Sequence, residues 1–393
     1  MVEVLPFKGI EYTTNDSKDV ITEPYDKIPK ELQLKYYERS PYNFIRLNLP
    51  MENDPYGSAR VTLNEWLRKG ILAKDQKPHF YEYVEEFTLF GSTRKRTGVF
   101  AAVKIEDYSE KEIYRHERTF TGPKEDRLKM LRATNTDLEP VFFLYDDPSM
   151  EVKELLDSLP KIKNLDVTDD GGVRHIVYSL DSHEITNLFK SKKLVIADGH
   201  HRYETALAFS KENNHVGNTG YVMAVLVNRH DPGLVILPSH RVITNSKLSP
   251  QQVLEKLKEK FEIREVPIES INDPLQMDMV FYFKGRGFDL KLRADVPKTT
   301  SLVEDINVSI LNNFVISNVL EIRNREMIKF TRWAADAIGD VNDGNASFAF
   351  LVKPVDPKTV WNVAMNDEVM PEKSTDFYPK LISGLMIFDL LER

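Results

Sequence analysis

The stretch LVIADGHHRYETALAFSKENN, residues Leu194–Asn214, decides how the rest of the chain is read. Four apolar residues, Leu194 to Ala197, stop abruptly at Asp198 and Gly199, and His200, His201 and Arg202 follow. Tyr203, Ala206, Leu207 and Ser210 then recur at spacings of three, four and seven. A short apolar run, a glycine and a helical period read as strand, tight turn, helix. Gly199, His200, His201 and Arg202 therefore stand at the first helical turn, with Thr205 one turn further on. Backbone N–H groups there lack intrahelical partners, and the helix dipole favours negative charge, so the turn suits an anion such as phosphate.

Downstream, Tyr221–Val227 is a second apolar strand and Leu234–Leu237 a third, ending in PSHR with His240 and Arg241. Strand, helix, strand predicts a βα unit with its candidate residues at the turn after a strand, where α/β sheets bind ligands. Upstream, EIYRHERTFTGPKEDRLKMLR predicts a helix begun by Pro123, with Leu128 and Leu131 buried and Arg127 and Arg132 nearby. His116, Glu117, Thr119 and Lys124 gather at its start, a second place for an anionic group or simply a solvated charged loop. Val141–Tyr145 reads as a buried strand, Met150–Leu159 as a helix, and His175–Leu180 as a strand leading into a short helix to Phe189.

Nearer the beginning, Phe80–Phe90 and Gly98–Glu106 predict a β-hairpin, and Ala59–Ile71 a helix with Leu63, Trp66, Leu67 and Ile71 on one face. A helix over Lys30–Arg39 follows ITEPYDKI, Ile21–Ile28, where Glu23 and Asp26 flank a Pro-Tyr that cannot be mid-helix. Asp26 is a candidate catalytic acid or an ordinary turn acid. Beyond Ser246 come a helix at Pro250–Lys260, a hairpin of Val280–Lys284 and Phe288–Leu292, a helix at Asp305–Leu320 and a strand at Ser347–Val352. MPEKSTDFYPK, Met370–Lys380, then sets Lys373, Ser374 and Thr375 between two prolines with Lys380 just beyond. A rigid loop of lysines and hydroxyls suits phosphate or carboxylate, although a plain surface turn has the same composition.

The 393 residues suffice for two or three domains, and the composition, 41% hydrophobic and 29% charged, is that of a globular protein. A net charge of −8 argues against a general nucleic-acid binder. The chain has no cysteine, which removes disulfides, thiolate zinc sites and thiol nucleophiles together. No basic leader and no run of 18 apolar residues is present, so the expectation is a cytoplasmic protein without a membrane partner. Walker A, complete Rossmann, HExxH and GxSxG signatures are all missing. Adjacent histidines at a helix start splay about 100° apart, which disfavours shared chelation of one metal. Magnesium carried by a nucleotide needs only one or two carboxylates, for which Asp198, Asp26 and Glu117 are candidates.

ADGHHRYETAL, with PYD near the start, RHERT and GPKEDRL in the middle, LPSHR after the motif and MPEKSTDFYPK near the end, resembles the family called domain of unknown function 1015. The Gly-His-His-Arg turn is more distantly similar to the ParB, sulfiredoxin and free serine kinase superfamily. Sulfiredoxins carry a reactive cysteine after the glycine; His200 stands there, which excludes sulfinic-acid repair. ParB proteins serve DNA segregation, and no helix-turn-helix follows the motif here. The kinase branch implies a nucleotide, ATP or ADP with magnesium, on Gly199, His200, His201, Arg202 and Thr205. It also implies a carboxylate acting as base on a small hydroxylated substrate, with free serine the superfamily's example. Asp198 is the first candidate for that base or for magnesium, with Asp26, Glu23 and Glu117 as alternatives. Further nucleotide contacts are assigned to Arg127, His240, Arg241, Lys373, Ser374, Thr375 and Lys380.

The expected fold is α/β of mixed α+β character: a ParB/sulfiredoxin-like nucleotide-binding core with additional N- and C-terminal α+β elements. Residues 1–245 form the nucleotide-binding catalytic region, its core at about 175–245, and residues 246–393 a C-terminal α+β region bringing the KST loop to the same site. The function expected is a nucleotide-dependent phosphotransferase. A nucleotide hydrolase or phosphatase using the same cradle, or a non-enzymatic ParB-like nucleotide sensor, are the alternatives.

Overall fold

The motif strand lies one place in from the edge of a large sheet, and its apolar residues are buried there among neighbours as apolar as it is. In the computed structural model, which describes residues 1–14, 18–118, 122–272, 277–297 and 299–392, nine strands form this sheet. They are β1 (Val4–Leu5), β2 (Phe80–Leu89), β3 (Ser92–Lys104), β4 (Ile113–Tyr114), β5 (Val141–Tyr145), β6 (Lys161–Thr168), β7 (Arg174–Leu180), β8 (Leu194–Asp198) and β9 (Tyr221–Asn228). Their order is β4-β8-β5-β9-β3-β2-β7-β6, with β1 added to β3. Every residue of β5 is buried, as are Leu194 to Ala197 of β8, which is how a strand covered on both faces reads.

The strand–helix–strand passage differs from the expected unit. β8 and β9 are not neighbours: β5 lies between them, antiparallel to β8 and parallel to β9. β8 and β9 therefore run in opposite directions, and the motif helix α1 (His200–Glu212) is not a parallel crossover. A strand from earlier in the chain takes the middle place, and local hydrophobic patterning does not encode that pairing. The predicted hairpin is β2–β3, in register from Leu89↔Ser92 to Tyr81↔Phe100.

The chain divides into two compact units. The first comprises Met1–Arg115, Thr119–Leu234 and Pro379–Arg393, and contains the nine-stranded sheet. One sheet face packs Val99, Ala101, Phe143, Ile196, Ala224 and Leu226 against Tyr203 and Ala206 of α1 and against Val152, Ile185 and Phe189. A smaller sheet joins Leu72–Lys74, Gly9–Tyr12, Ile387–Asp389 and Thr136–Asp137, so the returning C-terminal segment is stitched between the N-terminus and the strand that precedes β5. Leu63 and Trp66 of the helix Pro55–Arg68 pack beside it with Met130 and Leu138.

The second unit comprises His116–Arg118 and Val235–Tyr378. Its six-stranded sheet is antiparallel throughout, with strands β10 (His240–Ile243), β11 (Phe261–Val266), β12 (Met279–Phe283), β13 (Arg286–Leu292), β14 (Ile328–Thr331) and β15 (Phe348–Val352) in the order β11-β13-β12-β15-β10-β14. Alternation splits its side chains between two cores: Ile243, Phe281 and Phe350 on one face, Val242, Val280 and Ala349 on the other. The first face is covered by the helix Pro250–Leu257 and by a segment read from the sequence as one helix. That segment is α-helical over Asn307–Ile310 and continues as a π-helix over Leu311–Val319. The second face is covered by the helix Ala334–Asn342.

Phe143 is fully buried between sheet and α1, in T-shaped contact with Tyr203. Phe143→Ala is expected to lower stability by about 3–5 kcal/mol in urea denaturation. Val61→Ala, at a 61% exposed position, should stay within about 0.5 kcal/mol.

Candidate functional site

Gly199 ends β8 with φ +90°, a left-handed conformation that glycine adopts without strain. A Cβ at this position would lie 3.0 Å from Arg202 Nε and 3.1 Å from its Cζ, so the missing side chain also makes room for the guanidinium folded back over the turn. Asp198 Oδ1 accepts the Gly199 N–H at 2.8 Å, and Asp198 Oδ2 accepts from Lys380 Nζ at 2.9 Å. Lys380 thus reaches the motif from the returning C-terminal segment of the same unit. Burial by itself raises the Asp198 carboxyl, but the charges of Lys380 and Arg202 outweigh it and hold the group well below the usual carboxylate range, with Lys27 adding to them.

Arg202 donates through Nη1 to the Pro140 carbonyl. Among the described residues no carboxylate comes within 4 Å of it. Burial opposes its charge, yet the fields of Glu139, Asp198 and Asp26 keep its pKa raised. Glu139 is the buried member of this set, and its Oε1 accepts from the Tyr25 N–H at 3.0 Å, Asn48 Nδ2 at 2.6 Å and Ser383 Oγ at 2.5 Å. Three donors from three separate chain segments hold it in place.

Beneath Arg202 lies a cavity of about 40 Å³ lined by Asn48, Arg127, Thr136, Asp137, Glu139 and Thr205 among others. Its volume holds a water or two. The Thr136 hydroxyl and Asn48 Oδ1 have no partner among the described residues. Asp137 is buried there and accepts the Met223 N–H at 2.8 Å; burial raises it to about 7 against that hydrogen bond and the charge of Arg202.

Of the sequence-derived candidates, Asp198, Gly199, His200, His201, Arg202, Thr205, Lys380, Arg127, Asp26 and Glu23 belong to the first unit. His200 is buried, and the Thr205 hydroxyl bonds back to the His201 carbonyl at 2.6 Å. Arg127 is held by Asp126 at 2.5 Å and the Asn48 carbonyl at 2.9 Å, and lies 4.2 Å over the Tyr25 ring. Asp26 and Glu23 are exposed, and the field of Asp26 reaches Arg202 and Tyr25. Lys124, read as part of an anion-binding cluster, pairs instead with Glu204 of α1. Thr119 of that cluster lies outside the described residues.

Glu117, Lys373, Ser374, Thr375, His240 and Arg241 belong to the second unit and form a group of their own. The Lys373 N–H lies 3.4 Å from Glu117 Oε1, the Lys373 carbonyl accepts from Arg241 Nη2 at 3.2 Å, and His116 Nε2 lies 3.0 Å from Thr375 Oγ1. Ser374 Oγ donates to the Pro371 carbonyl at 2.5 Å. Arg241 is fully buried, its Nε has no partner among the described residues, and none of their carboxylates lies within ion-pair distance. Burial pushes its pKa down to about 10, with Glu117 opposing. His240 is driven to about 4 by burial and by Arg241, and its Nδ1 accepts the Val352 N–H at 3.1 Å.

Sequence reasoning missed Glu139, Asp137, Lys27 and Ser383. Glu139 and Asp137 sit immediately before β5, and an acid preceding an apolar strand carries no signal of burial. The buried fate of NTDLEP is set by the C-terminal strand Ile387–Asp389 pairing with Thr136–Asp137.

The family described as Protein of unknown function (DUF1015) matches residues 4–312, a span that includes PYD, GPKEDRL, ADGHHRYETAL and LPSHR. The chain belongs to this family. Among curated proteins, none matches it. Solved structures similar to this DUF1015 chain include a conserved hypothetical protein from Pyrococcus furiosus, at 15% identity and TM-score 0.36 over 71% of this chain and 90% of that one. A free serine kinase in complex with AMP is similar at 15% identity and TM-score 0.38, over 71% and 86%. SbnI with a C-terminal truncation, from Staphylococcus aureus, is similar at 11% identity and TM-score 0.39, over 74% and 87%. Among the described residues of this DUF1015 protein, no helix is long and apolar enough to cross a membrane.

The raised pKa of Asp137 sets a pH dependence. The folded state holds a proton on this group between its ordinary value near 3.8 and about 7, while the unfolded state does not. This contribution to stability is therefore complete below about pH 4 and is lost as pH rises towards 7. Urea denaturation of Asp137→Asn at pH 4, 5.5 and 7.5 should show a variant that gains on the parent protein as pH rises. Parallel pH profiles would reject the assignment.

Proposed function

We propose that this protein binds the phosphates of a nucleotide, ATP or ADP with magnesium, at the Asp198–Arg202 turn and transfers a phosphoryl group to a small hydroxylated metabolite. The observation carrying this reading is the convergence of hydrogen-bond donors on one turn. The start of α1, the Arg202 guanidinium and the Lys380 ammonium meet at the Asp198–Arg202 turn, where Lys380 pairs with the Asp198 carboxylate. A half-buried guanidinium whose direct partner is a backbone carbonyl presents a planar set of donors suited to an incoming phosphate. Glu139 and Asp26 moderate this field from further away.

The donor set fits a polyphosphate, with Gly199, His200 and His201 supplying the turn, Arg202 and Lys380 the charge, and Thr205 and Arg127 the floor beneath. Magnesium fits through the nucleotide. Among the described residues no three His, Asp or Glu side chains are grouped to hold a metal by themselves, so Asp198 offers one carboxylate and phosphate oxygens complete the shell. Asp198 is held ionised and is a weak proton acceptor, so its role is to orient Lys380 and to meet the metal. Asp26 is the proposed base, with Glu23 three residues before it as the second acid of the PYD segment. In the second unit, Arg241, His240, Lys373, Ser374 and Thr375 form a further anion-binding group, with Glu117 beside it. The acceptor follows the sequence resemblance to free serine kinases, with serine as the first compound to try and the cytoplasm as the setting.

Calorimetry with ADP and magnesium tests the cradle. Arg202→Ala should weaken binding at least tenfold without lowering the melting temperature by more than a few degrees, and unchanged affinity sinks the reading. Asp198→Asn should abolish turnover of ATP in the presence of serine and related hydroxylated metabolites while keeping nucleotide affinity within a few-fold. Turnover that ignores the added metabolite indicates a hydrolase, and tight binding without turnover a sensor.

A further inference from the structure

Below the site, a buried ion pair has no role in the reading above. Arg96 of β3 and Glu85 of β2 face each other across the hairpin, 0% and 1% exposed. Arg96 Nε donates to Glu85 Oε2 at 2.6 Å, and Nη2 lies 2.5 Å from the same oxygen. The guanidinium is packed 5.0 Å over the Phe142 ring of β5. Tyr83, two residues along β2, hydrogen-bonds His175 Nδ1 at 2.7 Å, and His175 Nε2 meets Asp169 Oδ2 at 3.2 Å. Burial raises the Glu85 carboxyl, while Arg96 and His175 oppose that rise.

A buried pair of this kind is a poor source of stability, since apolar residues of similar volume do as well or better in its place. What an apolar pair cannot do is grip a backbone carbonyl. Arg96 Nη2 donates at 2.7 Å to the carbonyl of Pro379, the residue immediately before Lys380. Proline fixes φ at that point, so clamping its carbonyl sets the direction in which the next residue leaves. Lys380 leaves toward Asp198, and its side chain is 13% exposed.

We infer that Arg96, held by Glu85, is a positioning residue: by fixing the Pro379 carbonyl it sets the Lys380 ammonium on Asp198. The inference rests on the Proposed function only in giving the Lys380–Asp198 pair a task, and the geometry is testable without any nucleotide. Arginine suits the place because its rigid plane sets Nε and Nη2 on the Glu85 carboxylate while Nη2 also reaches the Pro379 carbonyl, an arrangement that a flexible lysine does not preset. Of the three consecutive basic residues Arg94, Lys95 and Arg96 of β3, Arg96 is buried while Arg94 is half-buried and Lys95 exposed.

The test is the geometry of the Lys380–Asp198 pair, read in crystal structures of the full chain for E85L/R96M, which keeps an apolar pair in the core, and for R96K should that variant fail to fold. Loss of the clamp should free the Pro379 carbonyl and move the Lys380 ammonium from 2.9 Å to beyond ion-pair distance of Asp198 Oδ2. A Lys380 ammonium still seated on Asp198 in the folded clamp variant overturns the inference. ADP affinity in the same proteins reads the proposed function separately. A displaced Lys380 with constant affinity keeps the clamp and rejects the nucleotide reading.

Discussion

The site depends on one steric constraint: the guanidinium of Arg202 occupies the space where a side chain at residue 199 would be. Gly199 allows this twice over, through its positive φ and through the absence of a Cβ 3.0 Å from Arg202 Nε. With the guanidinium folded back over the turn, Arg202 bonds to the Pro140 carbonyl, and Glu139 next to it supplies the buried counter-charge. Asp198 is then free to face Lys380. A half-buried arginine, a buried glutamate and a half-buried ion pair are each costly alone, and they are tolerable here because each stands in the field of the others.

Much of this was legible in the chain. The helix Lys30–Arg39 and the strand Val141–Tyr145 follow from periodicity and stand where the patterns put them, and the hairpin of β2 and β3 is present too, although β3 begins at Ser92 rather than Gly98. The strand–turn–helix of the motif was equally clear, because Asp-Gly after four apolar residues has few other readings. Strand order was not legible. β5 separates β8 from β9, and two strands of like composition carry no label saying which neighbour each takes. The change of composition near Ser246 also does not coincide with the changeover between compact units, at Leu234 and Val235.

The candidate residues divide along the same line. Lys380 and the KST loop are adjacent in sequence, yet Lys380 belongs to the first unit and Lys373, Ser374 and Thr375 to the second. Sequence proximity grouped them, and the chain crosses from one unit to the other at Tyr378 and Pro379. Glu139 and Asp137 went unnoticed for the opposite reason: nothing local marks them, and their burial comes from a C-terminal strand some 250 residues away. That distance follows from Phe388 and Asp389 pairing with Asp137 and Thr136. Charged residues made buried by long-range pairing are the class that a reading of local pattern is least able to find.

The central claim is that the Asp198–Arg202 turn receives the phosphates of a nucleotide. The most direct measurement is a crystal structure of the full chain grown with ADP and magnesium. The account predicts phosphate oxygens within hydrogen-bond distance of the Arg202 guanidinium and of the first backbone N–H groups of α1, with Lys380 alongside. Nucleotide bound elsewhere on the chain, with the Arg202 guanidinium free of phosphate, would contradict it.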